Sequence, residues 1–171
     1  MSTDSVMIPD QGKVKLLLVD DEVEFLESTV KVLRRRGFEV VSASNGHLAL
    51  EAAENRKFEL ALVDLKMPGI RGEQVLELLK EKDPHIEVVI LTGHGSIDSA
   101  VECTKLGCYG YLQKPCETAE LMKFLKDAYQ SRVKKKLKID EDKLQKLLNV
   151  ATGESPLGIL RKLRDLEESG S

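Results

Sequence analysis

Val14–Glu22 reads VKLLLVDDE, a short branched apolar run that stops at two adjacent carboxylates. With one charge in six residues before Asp20, it predicts a strand buried on both faces, as in a parallel sheet covered by helices. The next stretch, 22–36, places Phe25, Leu26, Thr29, Val30 and Leu33 at helical spacing. It ends in three arginines and Gly37, which suits a helix C-terminus: cations favour the dipole and glycine tolerates the left-handed turn.

The alternation repeats along the chain. FEVVS (38–42) predicts a second strand and 45–56 a helix, LALV (60–63) a third strand and 73–82 a helix. IEVVIL (86–91) is the fourth strand, 97–106 a helix closed by Gly107, CYGYL (108–112) a weaker fifth strand and 117–137 the last long helix. Five βα repeats imply an α/β fold, a doubly wound five-stranded parallel sheet with helices on both faces and right-handed crossovers. Residues 1–12 read as a flexible leader and 13–137 as the main domain. Residues 138–171 read as a short helical tail without a recognisable output domain. There Asp140 caps a helix over 141–151 with Leu144, Leu147 and Leu148. Ser155 and Pro156 open another over 156–168 with Leu157, Leu160, Leu163 and Leu166. These leucines are expected to bury against the domain or a second subunit.

Composition narrows the function classes. At 171 residues the chain is about one domain plus a remainder. Aromatics make up 4% with no Trp, against a base-stacking platform. No apolar run approaches the roughly 18 residues of a membrane helix, and no secretory signal opens the chain, so a cytoplasmic protein without membrane contact is expected. Cys103, Cys108 and Cys116 are an odd number without a CxxC pair and read as small core residues. Net charge is −3; residues 134–171 hold nine basic and seven acidic residues, net +2, leaving −5 on the rest. Nucleic acid is therefore disfavoured as a partner.

Ligands of open α/β sheets bind beyond the carboxyl ends of the strands. Asp20 and Asp21 follow the first strand, Asp64 the third, Thr92 the fourth and Lys114 the fifth. Each alone reads as a cap or a solvated loop residue; together they form a set. Clustered carboxylates repel unless a hard cation enters, and Mg²⁺ or Mn²⁺ suits carboxylate and phosphate oxygens. A carboxylate such as Asp64 can attack phosphorus, while Lys114 and the Thr92 hydroxyl stabilise the phosphoryl oxygens.

LLLVDDE (16–22), ALVDLKMPGIRG (61–72), ILTGHGS (90–96) and YLQKP (111–115) resemble the receiver domain of bacterial two-component response regulators. The spacings agree: 43 residues from Asp21 to Asp64, 28 to Thr92 and 22 more to Lys114. The stretch from Leu91 to Pro115 is most similar to receivers of sigma-54-type activators. The resemblance implies a flavodoxin-like strand order 2-1-3-4-5 and makes Asp64 the phosphoacceptor. It implies metal held by Asp20, Asp21, Asp64 and the Lys66 backbone carbonyl, with Thr92 and Tyr111 as switch residues. Lys114 is then the ion-pairing lysine, Lys114–Pro115 a cis peptide, and Lys66 and His94 the residues that tune dephosphorylation. Expected partners are a histidine kinase or phosphotransfer protein, and a second copy docked through the face holding strand five and the last helices.

Two other classes compete. An aspartyl-phosphate phosphatase of the haloacid dehalogenase type also uses Asp, Thr, Lys and Mg²⁺, but its nucleophile follows the first strand in a DxD motif, whereas this strand ends DDE. A DNA-binding regulator would use 141–168 as a helix-turn-helix, yet residues 154–171 hold four acids and three bases. The expectation is a phosphoacceptor that assists its own phosphorylation and dephosphorylation rather than an enzyme. GHG (93–95) is not a P-loop, since no GxxxxGK[ST] occurs.

Overall fold

The computed structural model describes residues 12–150, with the side chains of 147–150 excepted, and residues 161, 164, 165 and 168–170. Most of the proposed helix over 156–168, including its four leucines, and nearly all of the leader lie outside the described residues. The order is β1 (Lys15–Val19), α1 (Val23–Arg35), β2 (Glu39–Ala43), α2 (Gly46–Asn55), β3 (Leu60–Val63), α3 (Gly72–Lys82), β4 (Glu87–Thr92), α4 (Ile97–Lys105), β5 (Gly110–Gln113) and α5 (Thr118–Val150). The strands form one parallel sheet in the order β2-β1-β3-β4-β5.

Strand alternation divides the core into two layers. Leu17, Val19, Ala61, Val63, Val88 and Ile90 face one cluster, shared with α2, α3 and Cys103 of α4. Leu16, Leu18, Leu60, Leu62, Val89 and Leu91 face the other, shared with α1 and with Leu121, Leu125 and Ala128 of α5. Every residue of β3 and β4 is buried, which is why LALV (60–63) and VVIL (88–91) read as unbroken apolar runs. Leu16, Leu17, Leu60 and Leu62 are fully inaccessible. Each contributes roughly 1.5–3 kcal/mol to holding the strand ends in place.

Local chemistry sets the helix ends. Gly37 takes φ +96° after α1, and the Phe38 N–H donates to the Leu33 carbonyl across the turn. Asn45 precedes α2 as its N-cap, accepting from the Leu48 N–H at 2.9 Å. Lys80 closes α3 by donating to the carbonyls of Pro84 and Ile86.

The tail corrects one expectation. The helices predicted at 117–137 and 141–151 are a single helix, α5, so Asp140 is an interior residue and not a cap. No glycine or proline falls between Thr118 and Val150. One interior Asp costs only a few tenths of a kcal/mol, less than breaking a running helix. Leu144 is exposed, as are Val133 and Leu137. The chain divides into two compact units, Met1–Arg132 and Val133–Ser171.

Gly72 shows how closely α3 docks on the third strand. A Cβ there would stand 2.2 Å from the Asp64 carbonyl oxygen and 2.6 Å from the Leu65 Cα, both unyielding backbone. Gly72→Ala is expected to lower stability by about 1–3 kcal/mol, read as a shifted urea midpoint with unchanged slope. Burial pushes the Cys103 thiol up to about 12, with smaller contributions from Cys108, Glu73 and Glu102. With the folded-state value above the ordinary one, stability from the neutral thiol is full below about pH 8.5 and falls as pH rises toward 12. Iodoacetamide at neutral pH is expected to leave Cys103 unmodified in the folded chain and to alkylate it in urea, as read by peptide mass.

Candidate functional site

The carboxyl ends of β1, β3, β4 and β5 bring the predicted polar set to one edge of the sheet. Asp20 and Asp64 are buried there beside exposed Asp21. One carboxylate oxygen from each of the three lies within 4.8 Å of the others. The register explains the convergence, since Val19 pairs with Val63 and Val63 with Ile90. The residues after β1 and β3 must then emerge side by side. The Asp64 N–H donates to the Val19 carbonyl at 2.9 Å, tying the two strand ends together.

Asp20 is held on both oxygens. Oδ1 accepts from the Glu22 N–H at 2.9 Å and Oδ2 from the Lys114 ammonium at 2.5 Å. Burial raises its carboxyl above the usual range; these two hydrogen bonds and the lysine's charge oppose the rise, and Asp64's charge adds to it. Asp64 differs: its Oδ1 is buried with no hydrogen-bond partner. An ionised oxygen sealed from water without a donor is costly. A divalent cation would satisfy it and remove the mutual repulsion of three carboxylates. The donor set therefore fits Mg²⁺ or a similar hard ion held by Asp20, Asp21 and Asp64.

Lys114 sits between charges and an aromatic face. Besides Asp20 it reaches Glu22 Oε1 at 3.5 Å, and its ammonium lies 4.0 Å from the centre of the Phe25 ring. Its ion pairs are thus with Asp20 and Glu22, not with Asp64. The Lys114–Pro115 bond is cis. Thr92 is buried at the end of β4, where its hydroxyl accepts from the His94 N–H at 3.2 Å and its carbonyl from the Lys114 N–H at 2.9 Å. Lys66 and His94 are exposed on the loops after Asp64 and Thr92. Tyr111 is turned inward: its ring packs on the α2–α4 side of the sheet and its hydroxyl is buried against Gly95.

Two contributors were missed in the sequence. Glu22 closes the LLLVDDE motif with no local sign of a role, and Phe25 has the spacing of an ordinary core position in a helix. Both act on a lysine about ninety positions away, so no local spacing announces them; only the sheet order brings α1 beside the end of β5.

Comparison with known proteins agrees with this geometry. Residues 16–126 match the response regulator receiver domain, and the chain belongs to that family. Among relatives, the transcriptional regulatory protein ZraR of Klebsiella oxytoca is 36% identical over 116 residues, covering 68% of this chain and 26% of ZraR. The chain thus spans about a quarter of that relative's length. A CheY-like receiver domain protein from Methanospirillum hungatei superposes with a TM-score of 0.71 at 30% identity, covering 72% of this chain and 99% of that one. The response regulator TrrA of Thermotoga maritima, solved in complex with Mg²⁺ and BeF, gives 0.62 at 27% identity, covering 67% and 98%.

Lys114→Met is expected to destabilise the chain by about 3 kcal/mol, because it leaves Asp20 buried and unpaired. Added Mg²⁺ should recover more stability in that variant than in the parent, since the cation then supplies Asp20's missing counter-charge. Urea unfolding with and without Mg²⁺ reads both effects.

Proposed function

We propose that the chain works as a phosphorylation-dependent signalling receiver in which Asp64 takes a phosphoryl group from the phosphohistidine of a histidine kinase or phosphotransfer protein. The observation that carries this reading is the buried, unpartnered Asp64 Oδ1 within reach of Asp20 and Asp21. In the transfer, an Asp64 oxygen attacks phosphorus, a P–O bond forms and the P–N bond to the donor imidazole breaks. The departing imidazole keeps the electron pair of the P–N bond. Asp20, Asp21, Asp64 and the Lys66 carbonyl would hold Mg²⁺, or Mn²⁺ in its place, which when bound neutralises charge on the phosphoryl oxygens. Lys114 and the Thr92 hydroxyl bind the same oxygens once the group is in place. The chain assists its own phosphorylation and dephosphorylation and turns over no other substrate.

Movement of Lys114 from Asp20 and Glu22, and of Thr92 from the His94 N–H, couples the new charge to the loops after β4 and β5. Tyr111 is the residue through which that change reaches the surface. Ile97 and Val101 of α4 and Tyr109 beside β5 are exposed apolar groups on this side. They support a partner or second-copy surface that includes β5. In this reading residues 13–137 are the receiver and 138–171 an extension. Among the described residues no helix is long and apolar enough to cross a membrane; a cytoplasmic location fits a kinase-fed receiver. A second reading, output at DNA, is favoured by the naming of ZraR as a transcriptional regulatory protein.

Incubation with a small phosphodonor and Mg²⁺ should add one phosphoryl group, located at Asp64 by peptide mass spectrometry. Omitting the metal or substituting Asp64→Asn should abolish the addition, and phosphorylation of the Asn variant at the parent rate would refute the assignment. In this reading Lys66, exposed two residues beyond Asp64, shades the in-line water path. Lys66→Asn should shorten the phosphorylated lifetime about tenfold, a change of only ~1.4 kcal/mol in barrier, followed by the decay of the phosphorylated mass.

A further inference from the structure

Among the described residues three buried side-chain atoms lack a hydrogen-bond partner: Asp64 Oδ1, Glu73 Oε2 and the Tyr111 hydroxyl. The first belongs to the site above; the other two are unexplained by it. Glu73 is the second residue of α3, directly after Gly72, whose backbone presses on Asp64 and Leu65. Tyr111 comes from β5 on the same side of the sheet. Its ring packs on the cluster built partly by Val75 and Leu76 of α3 and Cys103 of α4.

Electrostatics place the two groups in one neighbourhood. Burial first, then Cys103, raise the Tyr111 phenol; the Ser96 backbone opposes the rise, without a hydrogen bond of ordinary geometry, and the smaller effects of Glu73 and Asp64 add to it. Glu73 acts on the Cys103 thiol as well. An ionised carboxylate only accepts and a phenol donates, so each supplies what the other lacks. Buried polar groups in folded proteins are almost always satisfied, by protein or by ordered water.

We infer that Glu73 is the hydrogen-bond acceptor of the Tyr111 hydroxyl, reached by a side-chain rotation or through one bridging water, and is a positioning residue that holds the ring inward. The consequence follows from what the hydroxyl touches. A Cβ on Gly95 would stand 2.2 Å from it, so an inward ring and the loop after β4 are fitted to each other. That loop carries the His94 N–H bonded to the Thr92 hydroxyl. Glu73 thus biases the resting position of the loop that Thr92 must leave. This consequence rests on the receiver reading; the contact itself does not.

A double-mutant cycle on the full chain, without phosphodonor or divalent metal, separates the two. Tyr111→Phe is made in the parent, Glu73→Gln and Glu73→Leu backgrounds, and unfolding in urea is measured. Tyr111→Phe should lower the folding equilibrium constant about tenfold in the parent, where it strands a charged acceptor. It should lower it clearly, by a smaller factor, with Gln, which retains an acceptor. With Leu it should change it by less than about twofold. If the Leu variant does not fold, Glu73→Ala serves with the same expectation. An equal change in all backgrounds would overturn the assignment and leave the phosphoacceptor reading intact.

Discussion

Three carboxylates share a space that one ammonium only partly neutralises, and the surrounding structure is arranged around that imbalance. Asp20 and Asp64 are buried by the same packing that buries β1 and β3, so neither can turn to water for relief. The Lys114 ammonium is committed to Asp20 on one side and Glu22 on the other, with the Phe25 ring beneath it. Asp64 is left with an oxygen that no group among the described residues satisfies. The chemistry of such a site suits a hard cation and the phosphoryl group such a cation accompanies.

The fold supplies this arrangement through register. Parallel strands of nearly equal length end at one edge, and the order β2-β1-β3-β4-β5 puts the ends of β1, β3 and β4 adjacent. Glycine at 72 then lets α3 lie against the Asp64 backbone, closing one wall of the site. Core and site are therefore one construction: the leucines and valines that stabilise the sheet also force the acids together.

Much of this was legible in the chain itself. Apolar runs marked β1, β3 and β4 most plainly, since strands buried on both faces leave a Val/Leu/Ile signature, and the acids lay where β1 and β3 end; β5, only partly buried, left a weaker mark. The signal failed where tertiary context decides. Asp140 is a good cap in isolation but sits inside α5, because capping preference matters only where a helix starts. Phe25 and Glu22 have the pattern of an ordinary helix entry, and their contact with Lys114 depends on strand order rather than local sequence. Glu73 is a first-turn acid of α3, a position the dipole favours on any helix; its buried oxygen is visible only in three dimensions.

The proposed divalent-cation site is formed by Asp20, Asp21 and Asp64. Paramagnetic broadening of backbone amide signals on titration with Mn²⁺ tests it most directly. Selective loss of the signals of residues 20–22, 64–66, 92–94 and 114 is expected at low Mn²⁺, reversed by excess Mg²⁺. Broadening centred on other acidic surface residues, or spread evenly over the chain, would contradict it.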